Sequence, residues 1–314
     1  MNEVSLTKKE FLADEIELKR IYSDFDSDYK LSPLNFAKIE KIYGALKFPN
    51  LKADRPFLYA SFVTAIDGTI AFKDNLSSSQ IVRNKEFDSK AGKADLWILN
   101  LLRTVADGII LGPKTLQVES SLTAHIFDKE LIEARTKLLN KTQIPYNIII
   151  SKKGKTIPYE HRIFSEEEIP VMIVTSPQGA QFITEQLNYP VEVIDLTAAN
   201  MAEGANELNN KEEIIILVTG QGSELNEKIL FKYLKEAGLD KIMVETPSYA
   251  HYLMQYKFLD EIFINQAGSY IGGPKFLNNN SISAFNAGSE PRAKMVTIHT
   301  YNSYFFAFRY RLIY

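Results

Sequence analysis

The chain contains no cysteine in 314 residues. Disulfides, thiolate zinc sites, iron–sulfur clusters and a cysteine nucleophile are therefore all excluded. Histidine is scarce as well. His125, His161, His251 and His299 stand apart, none at ligand spacing with another, so no metal site is expected. No apolar run approaches the roughly 20 residues a membrane helix needs, and the acidic start MNEVSLTKKEFLADE lacks the apolar centre of a signal peptide. Charge of one sign is missing too: the net charge is −3, with Lys and Glu interspersed. Bulk electrostatics thus give no reason to expect a nucleic-acid or membrane partner. A cytoplasmic protein acting on a small molecule is the expectation.

What is present is ordinary globular composition, 45% hydrophobic and 24% charged, enough to bury a full core. The length suits two average domains or one α/β domain with an extension. Residues 1–54 read as a helical arm and connector. Phe11, Leu12, Ile16, Leu18 and Ile21 approximate one apolar stripe, and Phe36, Ile39, Ile42, Tyr43 and Leu46 a second, for which Ser32-Pro33 supplies a helix start. The stretch from Pro49 to Pro56 is turn-rich.

Residues 55–314 have a different character. Strand-like apolar runs at Phe57–Ile66, Gly108–Leu111, Tyr146–Ser151, Val171–Thr175, Val191–Ile194, Ile214–Thr219, Lys241–Glu245 and Glu261–Gln266 alternate with helical periods. The helical segments are Lys93–Val105, Glu130–Leu139, Gln178–Leu187, Asn226–Ala237 and Tyr249–Tyr256. Such alternation predicts an α/β fold, a largely parallel sheet with helices on both faces. Lys294–Thr300 and Tyr304–Ile313 predict a C-terminal antiparallel hairpin closing the sheet edge.

Ligands of such sheets bind where strands run into helices, at the carboxyl ends of the strands. Five junctions stand out. Thr64-Ala65-Ile66-Asp67-Gly68 is either a tight turn with Gly68 at positive φ or a small-residue platform for a flat ring. In Gly112-Pro113-Lys114-Thr115 a glycine, a cation and a hydroxyl follow a buried strand, an arrangement that favours anions, although the spacing is not that of a Walker loop. Thr175-Ser176-Pro177 is a good helix start whose hydroxyls suit a phosphate equally well. Thr219-Gly220-Gln221-Gly222 falls short of a dinucleotide fingerprint. Glu245-Thr246-Pro247-Ser248 opens a helix after a carboxylate that either caps backbone N–H groups or faces a ligand. Together the five suggest a nucleotide-type ligand.

The order and content of these junctions resemble the reductase domain of riboflavin biosynthesis, related in fold to dihydrofolate reductase. The resemblance rests on Thr64–Gly68, on Leu102-Arg103-Thr104-Val105-Ala106-Asp107 leading through a strand to Gly112–Thr115, on Glu245–Ser248, on Leu259-Asp260-Glu261, on a strand ending in Gly272-Gly273, and on the aromatic end Arg309-Tyr310-Arg311. It covers residues 55–314, and the N-terminal segment resembles the arm of a stand-alone branch. No deaminase domain is present, since its His and Cys ligands are missing. The resemblance implies an NADPH-dependent pyrimidine reductase that acts on a ribosylamino-pyrimidine phosphate, and a homodimer. It implies that Gly112, Lys114 and Thr115 approach cofactor phosphates, with Thr246, Ser248, Glu245 and Gly220 along the same groove. Thr175 and Ser176 would take the adenosine 2′-phosphate end, and Thr64, Ala65, Asp67 and Gly68 the nicotinamide. Glu119 stands where the family carries a substrate Asp and would act as proton donor or anchor. The family's phosphate-binding Arg has no counterpart after Thr115, which leaves Arg83, Lys85, Lys90 and Lys93 of the 77–93 loop as alternatives. Two other readings stay open, a reductase of a different small heterocycle or carbonyl and a nucleotide-binding protein without catalysis.

Overall fold

Strands buried on both faces carry continuous apolar runs rather than alternating ones, and the isoleucine- and valine-rich segments between residues 57 and 267 have that character. The computed structural model describes residues 6–83, 90–197, 213–273, 275–277 and 283–314. The N-terminal part holds strands β1 (Lys19–Ser23) and β2 (Tyr29–Leu31), helix α1 (Ala37–Ile42) and β3 (Lys47–Pro49). Then come β4 (Phe57–Ala65), β5 (Thr69–Ala71), α2 (Ala91–Val105), β6 (Gly108–Leu111), α3 (Pro113–Val118), α4 (Lys129–Leu139) and β7 (Tyr146–Ile150). The next elements are β8 (Val171–Thr175), α5 (Pro177–Gln186), β9 (Val191–Asp195), β10 (Ile214–Val218), α6 (Glu227–Glu236), β11 (Lys241–Val244) and α7 (Pro247–Gln255). Last are β12 (Glu261–Ala267), β13 (Lys275–Phe276), β14 (Arg292–Asn302) and β15 (Phe305–Ile313).

One 11-stranded sheet runs in the order β1-β14-β15-β12-β4-β11-β6-β7-β8-β10-β9. From β12 to β9 all neighbours are parallel; the β15, β14 and β1 pairings are antiparallel. Successive residues alternate between two cores. Ile109 and Leu111 of β6 join the core under α2, whereas Ile110 joins the one under α6 and α7. Helix α2 holds its place because Ala94, Trp97, Ile98, Leu101, Leu102 and Val105 recur at helical spacing and are all buried. Burying Trp97 alone contributes about 2–3 kcal/mol, and its ring is wholly enclosed.

The N-terminal segment departs from the helical reading. Ala13–Glu15 makes one 3-10 turn, and Lys19–Ser23 is a strand that pairs with β14. The supposed stripe is not one face: Phe11, Ile16 and Leu18 are buried, while Leu12 and Ile21 are 54% and 49% exposed. Ser32-Pro33 does not start the next helix either. The Ser32 hydroxyl accepts from the Leu34 N–H, and α1 begins at Ala37 after an extended Phe36. The C-terminal hairpin forms, but β1 lies outside it and is the edge. Strand β12 ends at Ala267, before Gly272-Gly273.

Residues 19–49 are tied to the hairpin side of the sheet by buried polar contacts. Arg309 donates to Glu261 Oε2 at 2.8 Å and to the Lys47 carbonyl at 2.7 Å, and the Tyr29 hydroxyl donates to the same Glu261 carboxylate. Arg20 donates to the carbonyls of Tyr43 and Ala45. His299, stacked on Tyr43 with ring centroids 4.0 Å apart, stays neutral because burial and then nearby Arg20 push its pKa down to about 3.

Candidate active site

Neighbouring parallel strands bring the ends of β11, β6 and β7 side by side, with Val244 opposite Ile110 and Leu111 opposite Ile149. Past those ends lies a cavity of about 1090 Å³, large enough for a dinucleotide and a small ligand together. Gly112, Lys114, Thr115, Glu119, Glu245, Thr246 and Ser248 all line it. The sequence could not reveal a further part of the lining, which comes from Lys9–Leu12 with Glu15 and Ile16. The ion pair between Lys93 of α2 and Glu15, 2.6 Å apart, joins that segment to the helix.

The helix starts explain what this end of the sheet can bind. Among the described residues, α3, α5, α6 and α7 are the helices that come next after parallel strands of the sheet. Away from the cavity, α5 is capped by the Ser176 hydroxyl, which accepts from Gly179 N–H, and α6 by Asn226, which accepts from Ile229 N–H. At the cavity, α3 and α7 open with Gly112 and Thr246 in extended conformation and no side-chain cap. Pro113 and Pro247 at the first helical positions carry no N–H, and the Thr115 N–H donates to the Gly112 carbonyl. The N–H groups these helix starts offer are therefore those of Lys114 in α3 and of Ser248 and Tyr249 in α7, for which an anionic ligand is the natural partner. Lys114 is exposed at the same edge and has no ion-pair partner among the described residues.

Gly112 is required by packing. A Cβ there would stand 2.6 Å from Thr246 Oγ1, so the glycine lets the β6 and β11 ends close on each other. Glu245 neither caps a helix nor offers a free carboxylate. Arg103 Nε and Nη2 donate to its two oxygens at 2.7 and 2.6 Å, and Arg103 Nη1 donates to the His125 carbonyl at 3.0 Å. The pair is nearly enclosed and fixes the end of β11 against α2. Glu119 follows α3, and one of its carboxylate oxygens accepts from the Ser77 hydroxyl at 2.9 Å. Its carbonyl is held by His161: Nδ1 accepts from Ile163 N–H, so Nε2 carries the proton and donates to Glu119 O at 2.9 Å. His161 is thus a support of the site that the sequence did not single out.

The expected contacts from Thr64–Gly68, Thr175, Ser176 and Gly220 lie outside the cavity. Thr175 and Ser176 are wholly buried, and both hydroxyls donate to the Lys152 carbonyl, at 3.3 and 2.6 Å. Ser151 and Lys152, just after β7, do line the cavity. Thr64 and Ala65 are buried in the strand, and Asp67 organises a turn by accepting from Thr69 and from the Gly272 N–H at 2.7 Å. Gly68 takes φ +77° there, as a tight turn requires. Gly220, at φ +84°, belongs to a turn in which a Cβ would meet the Glu224 carbonyl at 2.0 Å. Of the 77–93 loop, Arg83 and Lys93 line the cavity, and Lys85 lies outside the described residues.

Two further polar side chains line the cavity, Asp95 on α2 and Asn265 on β12. Asn265 Nδ2 donates to Asp95 Oδ1 at 2.8 Å. Burial pushes the Asp95 carboxyl up to about 6, and the Asn265 amide offsets part of that rise. Among the described residues no cluster of His, Asp and Glu is arranged to hold a metal ion, and no helix is long and apolar enough to cross a membrane.

Over residues 56–303 the sequence matches the model of the RibD C-terminal domain. The chain belongs to that family. A pyrimidine reductase-like protein from Corynebacterium diphtheriae shares its fold, at 18% identity and a TM-score of 0.59, over 90% of this chain and all of the other. Two crystal forms of Acinetobacter baumannii RibD align at TM-scores of 0.52 and 0.54 with 15% and 14% identity. They cover 83% and 82% of this chain but only 59% and 58% of RibD itself. No curated protein matches the sequence. The RibD C-terminal membership places the parallel sheet, its strand-end cavity and the antiparallel C-terminal strands in a family of reductase type.

Proposed function

We propose that this protein is an NADPH-dependent oxidoreductase that reduces a ribosylamino-pyrimidine phosphate, as in riboflavin biosynthesis. One observation carries the reading: α3 and α7 open on the cavity without side-chain caps and offer the N–H groups of Lys114, Ser248 and Tyr249, beside a Lys114 side chain that has no ion-pair partner among the described residues. That donor set fits the pyrophosphate of a dinucleotide. Thr115, Thr246 and Ser248 add hydroxyls to the lining, and Ser151 and Lys152 add a further hydroxyl and a cation. The cofactor, when bound, supplies the hydride. The chain's own residues orient the partners and exclude water, with Lys9–Leu12, Glu15 and Ile16 contributing to the lining. Glu119, oriented by Ser77 and His161, anchors the substrate or donates a proton to it. Arg83 and Lys275, which also line the cavity, are the cations assigned to a substrate phosphate in this reading.

Residues 55–314 form the reductase unit in this reading, and residues 1–54 supply part of its wall. The working form is a cytoplasmic homodimer, for which light scattering at micromolar concentration would give twice the mass of 35.7 kDa. A second reading keeps the cofactor and changes the substrate to another small heterocycle. Asp95 favours weighing it, because a second carboxyl group faces the space that a substrate would occupy. Titration of the full chain with NADPH, followed by nucleotide fluorescence, tests both. Micromolar binding is expected, and its absence would remove both enzymatic readings. Turnover of 5-amino-6-(5-phosphoribosylamino)uracil then separates the first from the second.

A further inference from the structure

Asp95 is an unusual occupant of its position. It lies on the face of α2 that packs toward the sheet, one residue after buried Ala94 and two before enclosed Trp97, with Leu96 and Leu99 also along the cavity. Its one hydrogen-bond partner among the described residues is the neutral amide of Asn265. Asn265 is itself 2% exposed, and its Oδ1 has no partner. Two polar side chains therefore occupy an apolar wall without neutralising one another, an arrangement that costs stability and serves no packing purpose that Leu could not serve better. The surrounding elements offer several charges: Glu10 and Glu15 of the N-terminal segment, Lys93 and Arg103 on α2 itself, and Arg83 and Lys275 elsewhere in the cavity lining. None makes an ion pair with Asp95; Lys93 is taken by Glu15 and Arg103 by Glu245. Desolvation, opposed only by the Asn265 bond, keeps the carboxyl titrating at about 6.

We propose that Asp95, steadied by Asn265, is a ligand-binding residue of the cavity that accepts hydrogen bonds from the N–H groups of a nitrogen-rich heterocycle. Asp95 touches the ligand, and Asn265 is a positioning residue that acts through it. The inference rests on the functional reading above and deepens it: the ring would be recognised through an edge carrying adjacent N–H donors, such as a ring N–H beside an exocyclic amine. A carboxylate in low dielectric is a strong acceptor for such an edge, and protonation weakens the contact by removing the charge and turning one oxygen into a donor.

The test uses the full chain saturated with NADPH and titrated calorimetrically with 6-aminouracil, with 6-amino-1,3-dimethyluracil as the probe lacking ring N–H groups. The wild type is expected to bind 6-aminouracil at least tenfold more tightly than the methylated probe, with affinity falling as pH drops below about 6. Asp95→Asn should lose that preference and the pH dependence while its thermal stability is unchanged or higher, which a merely structural role would not produce. Asn265→Leu should weaken binding several-fold and shift the pH midpoint, and Asp95→Glu should restore part of the affinity. Asp95→Asn binding with wild-type affinity and pH profile would overturn the inference, as would a wild type that binds both probes alike. The NADPH affinity of each variant is the control. If the wild type takes up no NADPH, the functional reading fails; if NADPH binds normally and only the probe results go the other way, the inference alone fails.

Discussion

Converting Glu245 to Gln should cost the fold about 3 kcal/mol. The side chain stays nearly the same size, so the loss is electrostatic. In the native structure the Arg103 guanidinium is 2% exposed as a side chain and its Nε and Nη2 both donate to Glu245. An amide at 245 keeps one acceptor, presents an N–H₂ to the second donor and leaves a buried cation without its counter-charge. Breaking a buried pair from one side typically costs 3–5 kcal/mol; the third Arg103 bond, to the His125 carbonyl, survives and keeps the estimate at the lower end. Equilibrium urea unfolding measures it as a fall in the midpoint with the slope unchanged. The companion is the double variant Arg103→Met with Glu245→Met, which removes both charges and should recover more than half of the loss. NADPH binding by the double variant should remain within about tenfold of the wild type, roughly 1.4 kcal/mol, because Arg103 already occupies both oxygens of Glu245. A Glu245→Gln variant destabilised by less than about 1 kcal/mol would refute the assignment of this pair as the clamp between α2 and β11.

Lys114→Ala should weaken NADPH about tenfold, in line with the 1.5–3 kcal/mol of a hydrogen bond to a charged group less solvent screening at an exposed site; fluorescence titration at two salt concentrations would also show a shallower salt dependence. Gly112→Ala places a methyl group 2.6 Å from Thr246 Oγ1, and should cost roughly 1–3 kcal/mol in urea unfolding and weaken the cofactor as well. Gly220→Ala should destabilise the fold but leave NADPH affinity of the folded fraction unchanged, since that turn does not line the cavity. The pKa of Asp95 is raised by burial from 3.8 to about 6, so its contribution favours the native state fully below pH 3.8 and is lost as pH rises through about 6. Relative to Asp95→Asn, the wild type should accordingly lose up to roughly 3 kcal/mol across that window, read from paired urea titrations at successive pH values.

Periodicity and turn chemistry made most of the sheet legible. Runs such as Gly108–Leu111 and Val171–Thr175 coincide with their strands because both faces are covered, which selects apolar residues along almost their whole length. Helix ends were legible for the same local reason: Pro113, Pro177 and Pro247 each take the first helical position. Local logic failed at the N-terminus. There, Phe11 and Ile16 are buried by distant parts of the chain rather than on one helical face, and Lys19–Ser23 becomes a strand through pairing with residues 297–300.

For the site, sequence alone determined which strand ends carry glycine, hydroxyl and charge. It could not determine which of those groups remain available. Ser176 and Gly112 look equivalent as residues at a strand-to-helix turn. The structure makes the first a helix cap, bonded to Lys152 and Gly179, and leaves the second on the cavity. Glu245 reads as a ligand-facing carboxylate until Arg103, 142 residues earlier in the chain, is found on both its oxygens. Asp95 gave no signal at all, because a single Asp among apolar helix positions is unremarkable until burial, an amide from β12 and the open space beside it are seen together. Composition and spacing are local properties, and they named the strand ends. Desolvation, pairing and closure depend on residues far apart in sequence, and only the tertiary structure decided which groups are left to do chemistry.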